Sequence, residues 1–183
     1  ELQVSTANLE LSNGDLIDVV EISLDEDTER LTLRFPQEMP SGGSVLRLSF
    51  TGSLNDQLCG FYRSQYTDIS GNNQYLATTQ FEATDARRAF PCWDEPSIKA
   101  AFDVTLVVPA GLTAISNMPI ASEEPVSGGQ KAVHFETTPK MSTYLLAFIV
   151  GDLACVEDTA PDGTQIRVWA TRGKEQLGRF ALE

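Results

Sequence analysis

Gln80 and Glu82 are the residues of this chain whose types and spacing best suit binding of a cation. They lie two apart in a stretch that resembles the end of a β-strand, so both side chains should point to one face. Phe81, between them, should point to the other face and anchor the strand in the core. A carboxylate gives an ammonium ion charge-assisted hydrogen bonds, and an amide oxygen offers another acceptor. The pair could therefore bind an amine, although a solvated strand face has the same pattern.

Metal chemistry is restricted by the histidine content. His134 is the single histidine, and no His-Glu-x-x-His motif occurs in the 183 residues. A catalytic zinc site made of two histidines and a glutamate cannot be built from this chain alone. His134 lies in an alternating, strand-like segment, which favours a structural role.

The cysteines suggest a reducing compartment. There are three, Cys59, Cys92 and Cys155, widely spaced and without a Cys-x-x-Cys motif. An odd number leaves at least one unpaired within the chain, which is more typical of the cytoplasm than of a disulfide framework. We therefore predict a cytoplasmic location.

Composition limits the partners. The chain has 26 acidic and 13 basic residues, a net charge of −13, and 42% hydrophobic residues. Such an acidic fold repels phosphate backbones and anionic lipid, so neither nucleic acid nor a membrane surface is expected to bind. The longest apolar run, Tyr144 to Val150, is far shorter than the ~20 residues of a membrane helix. The sequence therefore predicts a globular domain without a membrane segment.

The periodicity is that of β-strands throughout most of the chain. Residues 31–35 and 45–50 alternate, and residues 104–108 are mostly β-branched. The largely apolar segment Met141–Val150 is typical of one buried strand. Cys59–Tyr62 is expected to be a loop or an edge strand. The fold class predicted is mainly β, a saddle-like β-sandwich or open sheet with one or two short helices.

Two segments have helical character. Thr84–Phe90 could form about two turns capped by Thr84, and a second candidate begins near Lys174, where residues 177, 180 and 181 have helical spacing. Phe90 and Trp93 are predicted to be core residues. Arg87 and Arg88 are expected to form ion pairs with nearby carboxylates, Asp85, Asp94 or Glu95.

Three segments together resemble the M1 family of zinc aminopeptidases. They are GFYRS at residues 60–64, QFEATDARRAFPCWDEP at 80–96 and TPKMSTYLLAF at 138–148. The resemblance extends from about Val45 to the C-terminus, and the sequence is most similar to the puromycin-sensitive and cytosolic alanyl aminopeptidase branch. The central motif is long enough to be highly specific.

The resemblance implies a domain organisation. Residues 1–172 would be the N-terminal β (saddle) domain, missing its first strands, and residues 173–183 would be a linker and the start of an absent catalytic domain. The parent protein would be a zinc metallo-aminopeptidase. This piece alone would be inactive, with no catalytic residue and no metal ligand of its own, because the zinc would be bound beyond Glu183.

The resemblance also implies roles for the two polar residues described first. Glu82 would bind the free α-amino group of a peptide substrate, and Gln80 would line the pocket for the first side chain and could contact the same amine. Members of the family tend to have a cis peptide directly after this glutamate, which here is the Glu82–Ala83 bond. The partners implied are peptides with a free N-terminus and the catalytic domain of the same polypeptide.

Two alternatives remain open. The chain could be a stand-alone β-sandwich module that binds a protein or a glycan without catalysis. It could also be a structural cover or assembly domain, in which Glu82 has no role in binding.

Overall fold

The computed structural model describes residues 2–183, which form sixteen β-strands and three 3₁₀ helices. The strands are β1 Gln3–Leu11, β2 Leu16–Asp18, β3 Glu21–Asp25, β4 Arg30–Arg34, β5 Ser44–Thr51, β6 Gly60–Thr67, β7 Asn73–Gln80, β8 Lys99–Ala100, β9 Thr105–Pro109, β10 Thr113–Ser116, β11 Ile120–Val126, β12 Gln130–Phe135, β13 Met141–Ser142, β14 Phe148–Gly151, β15 Leu153–Thr159 and β16 Gln165–Thr171. The 3₁₀ helices are Ala86–Arg88, Thr143–Leu145 and Glu175–Leu182.

Antiparallel pairing joins the strands into several small sheets. The larger sheets have the orders β2-β1-β5, β10-β14-β7-β6 and β11-β12-β9, and the pairs β13-β8, β15-β16 and β3-β4 complete the set described. The predicted mainly β fold class is confirmed, since helical residues are few and occur only as short 3₁₀ segments.

The four-stranded sheet β10-β14-β7-β6 positions the amide and carboxylate singled out from the sequence. β7 pairs with β6 over eight residues, from Gly60 opposite Gln80 to Thr67 opposite Asn73. On its other side β7 pairs with β14, where Ile149 lies opposite Thr78. β6 is an edge strand of this sheet, which is one of the two alternatives, a loop or an edge strand, predicted for Cys59–Tyr62. Cys59 itself precedes the strand.

Two hydrophobic clusters form the core around this sheet. One is built on Val108, Ala114, Val133 and Phe135 and lies under β9, β10 and β12. The other is built on Phe81, Ala86 and Leu146 and lies directly beneath the end of β7. Burying these side chains removes apolar surface from water, which is the main favourable contribution to folding.

The prediction of one buried strand over Met141–Val150 is wrong. The segment is broken into β13, the 3₁₀ helix Thr143–Leu145 and β14. The Ser142 hydroxyl donates to the Pro96 carbonyl at 2.6 Å, and the Thr143 hydroxyl donates to the Trp93 carbonyl at 3.1 Å. These bonds hold the chain in a turn, and a continuous apolar run does not by itself distinguish a strand from such a buried turn.

The predicted helix Thr84–Phe90 is shorter than expected. Only Ala86–Arg88 is helical, and Asp85 rather than Thr84 stands at its start, without a side-chain capping bond. The Asp85 carboxylate instead accepts from Arg88 at 2.8 Å. A segment of this length barely exceeds one hydrogen-bonded turn, whose formation is unfavourable without tertiary contacts.

The second helical prediction is confirmed in position, since Glu175–Leu182 forms a 3₁₀ helix that begins after Lys174.

The prediction that Trp93 is a core residue is wrong, because 70% of its surface is exposed. Its neighbour Asp94 is buried instead, at 5% exposure. Phe90 is partly buried and packs against the cluster that contains Phe81.

Candidate functional site

Phe81 is the anchor of the candidate site. It follows the last residue of β7 and is only 2% exposed. Its ring packs edge-on against the rings of Phe90 and Phe148, with centroid distances of 6.0 and 5.9 Å. Because this side chain is fixed in the core, the residues on either side of it, Gln80 and Glu82, both remain exposed.

Gln80 and Glu82 lie beside one another at the end of β7. The Gln80 amide donates a hydrogen bond to the main-chain carbonyl of Glu82 at 3.4 Å. The amide oxygen of Gln80 and the carboxylate of Glu82 remain available as acceptors, the combination that an ammonium group requires.

The backbone after Glu82 turns sharply away from the strand. The Glu82–Ala83 peptide bond is cis, as the resemblance implied. The Asp85 N–H then donates to the Phe81 carbonyl at 2.9 Å, and Ala86 is completely buried. The loop that carries Glu82 is therefore fixed at both ends, by Phe81 before it and by Ala86 after it.

A pocket of about 200 Å³ opens beside these residues. One wall is the end of β7 and the following turn, Thr79–Glu82, and the other is the segment Tyr144–Ala147. This volume is smaller than the ~300–1,000 Å³ of a complete small-molecule site. The pocket is thus large enough for one end of a ligand, such as an amine group and the side chain next to it.

The second wall of the pocket was missed by sequence reasoning, because its residues were expected in a regular strand. The Phe148 N–H donates to the Thr79 hydroxyl at 3.1 Å and ties this wall to β7. Asn117 contacts the same wall: its amide donates to the Leu145 carbonyl and accepts from the Ala147 N–H, both at 2.8 Å. No local sequence pattern indicates that the strand predicted over Met141–Val150 is interrupted next to Glu82.

An ion pair between Arg87 and Asp94 follows the loop that carries Glu82. Asp94 accepts from both the main-chain N–H and the Nε of Arg87, each at 3.1 Å. The hydrogen bond with Asp94 raises the pKa of the Arg87 guanidinium above its usual value. Arg87 also contacts Glu29 at 3.3 Å. The prediction that Arg87 and Arg88 form ion pairs with nearby carboxylates is confirmed.

The thiol of Cys92, which interacts with the charges of this ion pair, stays protonated at neutral pH. Burial raises the pKa of Cys92 to about 12, and the Asp94 carboxylate adds to the shift. A protonated thiol is a poor nucleophile. All three cysteines, Cys59, Cys92 and Cys155, are free.

Zinc does not fit the donor groups that the structure describes. Residues 2–183 contain no group of three or more His, Cys, Asp or Glu side chains placed to hold a metal ion. His134 has Thr105 Oγ1 at 2.9 Å from its Nδ1 and Glu124 Oε1 at 3.4 Å from its Nε2. A zinc site needs three or four protein ligands, so this pair of contacts is insufficient.

Within residues 2–183, no helix is both long and apolar enough to cross a membrane.

Comparison with known proteins gives the family. The Peptidase M1 N-terminal domain family matches residues 1–145. Aminopeptidase M1-C of Oryza sativa subsp. japonica is 51% identical over 163 residues, 89% of this chain and 18% of that protein.

Two further relatives come from distant organisms. Puromycin-sensitive aminopeptidase of Caenorhabditis elegans is 45% identical over 183 residues, which cover 100% of this chain and 19% of that protein. Alanine/arginine aminopeptidase of Saccharomyces cerevisiae is 48% identical over 169 residues, 90% of this chain and 20% of that protein. The chain thus spans about a fifth of the length of these relatives. The chain belongs to the M1 peptidase family and corresponds to its N-terminal domain.

Proposed function

We propose that this chain is the part of a longer M1 aminopeptidase that binds the free α-amino group of a peptide substrate. Glu82 supplies the carboxylate that pairs with the ammonium group, and Gln80 supplies an amide oxygen beside it. The proposal rests on the exposure of these two side chains at the edge of one pocket, next to the buried Phe81. The relatives' names, which describe aminopeptidases, support it.

The amine contact explains how such an enzyme would select the end of a chain. An ammonium group held by Glu82 fixes the register of the peptide, so that the first peptide bond is the one presented for cleavage. The contribution of Glu82 is positioning. A peptide with a blocked N-terminus loses the charge pairing and should bind weakly.

The partners of the domain follow from the same proposal. They are peptides with a free N-terminus and the catalytic domain of the same polypeptide, which would hold the zinc. Exposed apolar side chains support an additional packing partner, since Leu177 and Phe180 are 80% and 86% exposed. The three free cysteines support a reducing, cytoplasmic location.

Substitution of Glu82 tests the proposal. In the full-length protein, Glu82→Ala should lower kcat/KM for an aminoacyl-anilide by about 10- to 100-fold, since a hydrogen bond to a charged group contributes ~1.5–3 kcal/mol. Gln80→Ala should have a smaller effect, because an uncharged acceptor is lost.

Glu123→Ala is the matched control, because Glu123 is an exposed carboxylate on β11, outside the pocket. It should leave kcat/KM unchanged. An unchanged kcat/KM for Glu82→Ala would contradict the proposal and would favour a structural cover domain. A full-length protein without aminopeptidase activity would favour a stand-alone binding module.

A further inference from the structure

We propose that Leu145 determines the specificity of the pocket for the first side chain of the peptide, and that Asn117 positions it. This inference rests on the proposed function, since it concerns the side chain next to the amine that Glu82 binds. It adds a substrate class: peptides whose first residue has a long apolar side chain, such as leucine.

Leu145 is an apolar side chain that faces the pocket without being covered. It is 47% exposed, whereas the adjacent Leu146 is 6% exposed and belongs to the core. Leu145 lines the same pocket as Glu82, from the opposite wall. An exposed apolar wall gains free energy when another apolar group covers it.

The dimensions of the pocket determine what can cover that wall. Glu82 and Leu145 both line a space of about 200 Å³. A peptide whose ammonium group lies at Glu82 carries its first side chain on the adjacent carbon atom, so that side chain enters the same space. A long aliphatic side chain offers much more apolar surface to cover Leu145 than the single methyl group of alanine does.

Asn117 determines where Leu145 lies. Leu145 is the last residue of the 3₁₀ helix Thr143–Leu145, where main-chain carbonyls lack a partner within the helix. The Asn117 amide donates to this carbonyl at 2.8 Å and accepts from the Ala147 N–H at 2.8 Å. One side chain thus bonds to the main chain on both sides of Leu146 and fixes the turn that carries Leu145.

The test is the preference of the full-length protein between leucyl- and alanyl-anilide. Leu145→Ala should lower kcat/KM for the leucyl substrate about 10-fold, the low end of what a few methylene contacts provide. It should change kcat/KM for the alanyl substrate less than ~2-fold, because the methyl group of alanine offers little apolar surface to the wall. Leu16→Ala is the control, since Leu16 is an exposed leucine on β2, in another sheet.

Asn117 is tested by two substitutions. Asn117→Ala removes both hydrogen bonds, and Asn117→Asp keeps the acceptor for the Ala147 N–H but loses the donor to the Leu145 carbonyl. Both substitutions should reduce the leucyl-to-alanyl ratio of kcat/KM. The reduction should be smaller for Asn117→Asp than for Asn117→Ala. A residue with only a structural role would lower both rates equally. Asn13→Ala, in the turn between β1 and β2, is the control.

The result separates this inference from the proposed function. If Glu82→Ala abolishes activity while Leu145→Ala leaves the leucyl-to-alanyl ratio unchanged, the amine site stands and the role of Leu145 is refuted. If Glu82→Ala has no effect, the proposed function itself fails. Equal loss on both substrates in the Leu145 and Asn117 variants would also overturn the inference.

Discussion

Asp94 is a buried carboxylate that pairs with Arg87, close in sequence to the loop that carries Glu82. Asp94 is 5% exposed. Its carboxylate accepts hydrogen bonds from the main-chain N–H and the Nε of Arg87. Arg87 in turn lies in the 3₁₀ helix that follows the Glu82 turn. Removing one partner of a buried ion pair leaves the other charge without compensation, which is far more costly than losing a surface pair.

We therefore expect Asp94→Ala to lower the free energy of unfolding by about 3 kcal/mol. The value lies at the low end for buried pairs, because the Arg87 side chain is 27% exposed and water can partly solvate it. Urea denaturation of the 183-residue chain measures the change.

Glu123→Ala provides the surface comparison, since Glu123 pairs with Lys131 at 3.2 Å and its side chain is 40% exposed. That substitution should cost about 0–1 kcal/mol. Equal effects of the two substitutions would show that the Asp94–Arg87 pair contributes no more than an ordinary surface pair.

At the scale of elements, the start of β6 lies close against the 3₁₀ helix Ala86–Arg88. Gly60 has φ +68°, and a Cβ atom on it would lie 2.9 Å from the Cβ of Arg88. Glycine is required here both for its backbone conformation and for the absence of a side chain. This explains physically why the GFYRS segment begins with glycine.

Gly60→Ala should therefore destabilise the chain more than an alanine at an open glycine of similar conformation. Gly71 is the matched case, since it has φ +84° and no atom within 4 Å of an added Cβ. Both substitutions incur about 1 kcal/mol for the left-handed backbone, and Gly60→Ala adds ~1–3 kcal/mol of steric overlap. Urea midpoints measure the difference, and equal midpoints would mean that the helix moves aside without cost.

Sequence reasoning predicted that Gln80 and Glu82 share a face near a strand end, because strand alternation is a local property. In the structure β7 ends at Gln80, and Glu82 lies in the turn that follows. Sequence reasoning did not predict the wall opposite. Thr79 and Phe148 are 69 residues apart in sequence, and their hydrogen bond depends on the pairing of β7 with β14. The break in Met141–Val150 depends on bonds to Trp93 and Pro96, which hydrophobicity does not encode.

At the scale of the whole molecule, the pocket belongs to a chain in which residues 2–183 contain no cluster of metal-binding side chains. The pocket of about 200 Å³ is too small for a complete ligand site, and Glu82 is one of 26 acidic residues in the chain. Under the proposed function, this domain would bind the amine and another part of the protein would carry out hydrolysis.

This division predicts that the 183-residue chain alone neither retains zinc nor hydrolyses an aminoacyl-anilide. Among residues 2–183, the ring nitrogens of His134 contact Glu124 and Thr105 alone, whereas zinc needs three or four ligands. Dialysis against zinc followed by metal analysis should therefore leave far less than one equivalent bound. His134→Ala should not change this amount, because a single imidazole binds zinc only weakly. One zinc per chain together with turnover would contradict the division, since the domain would then contain a catalytic centre of its own.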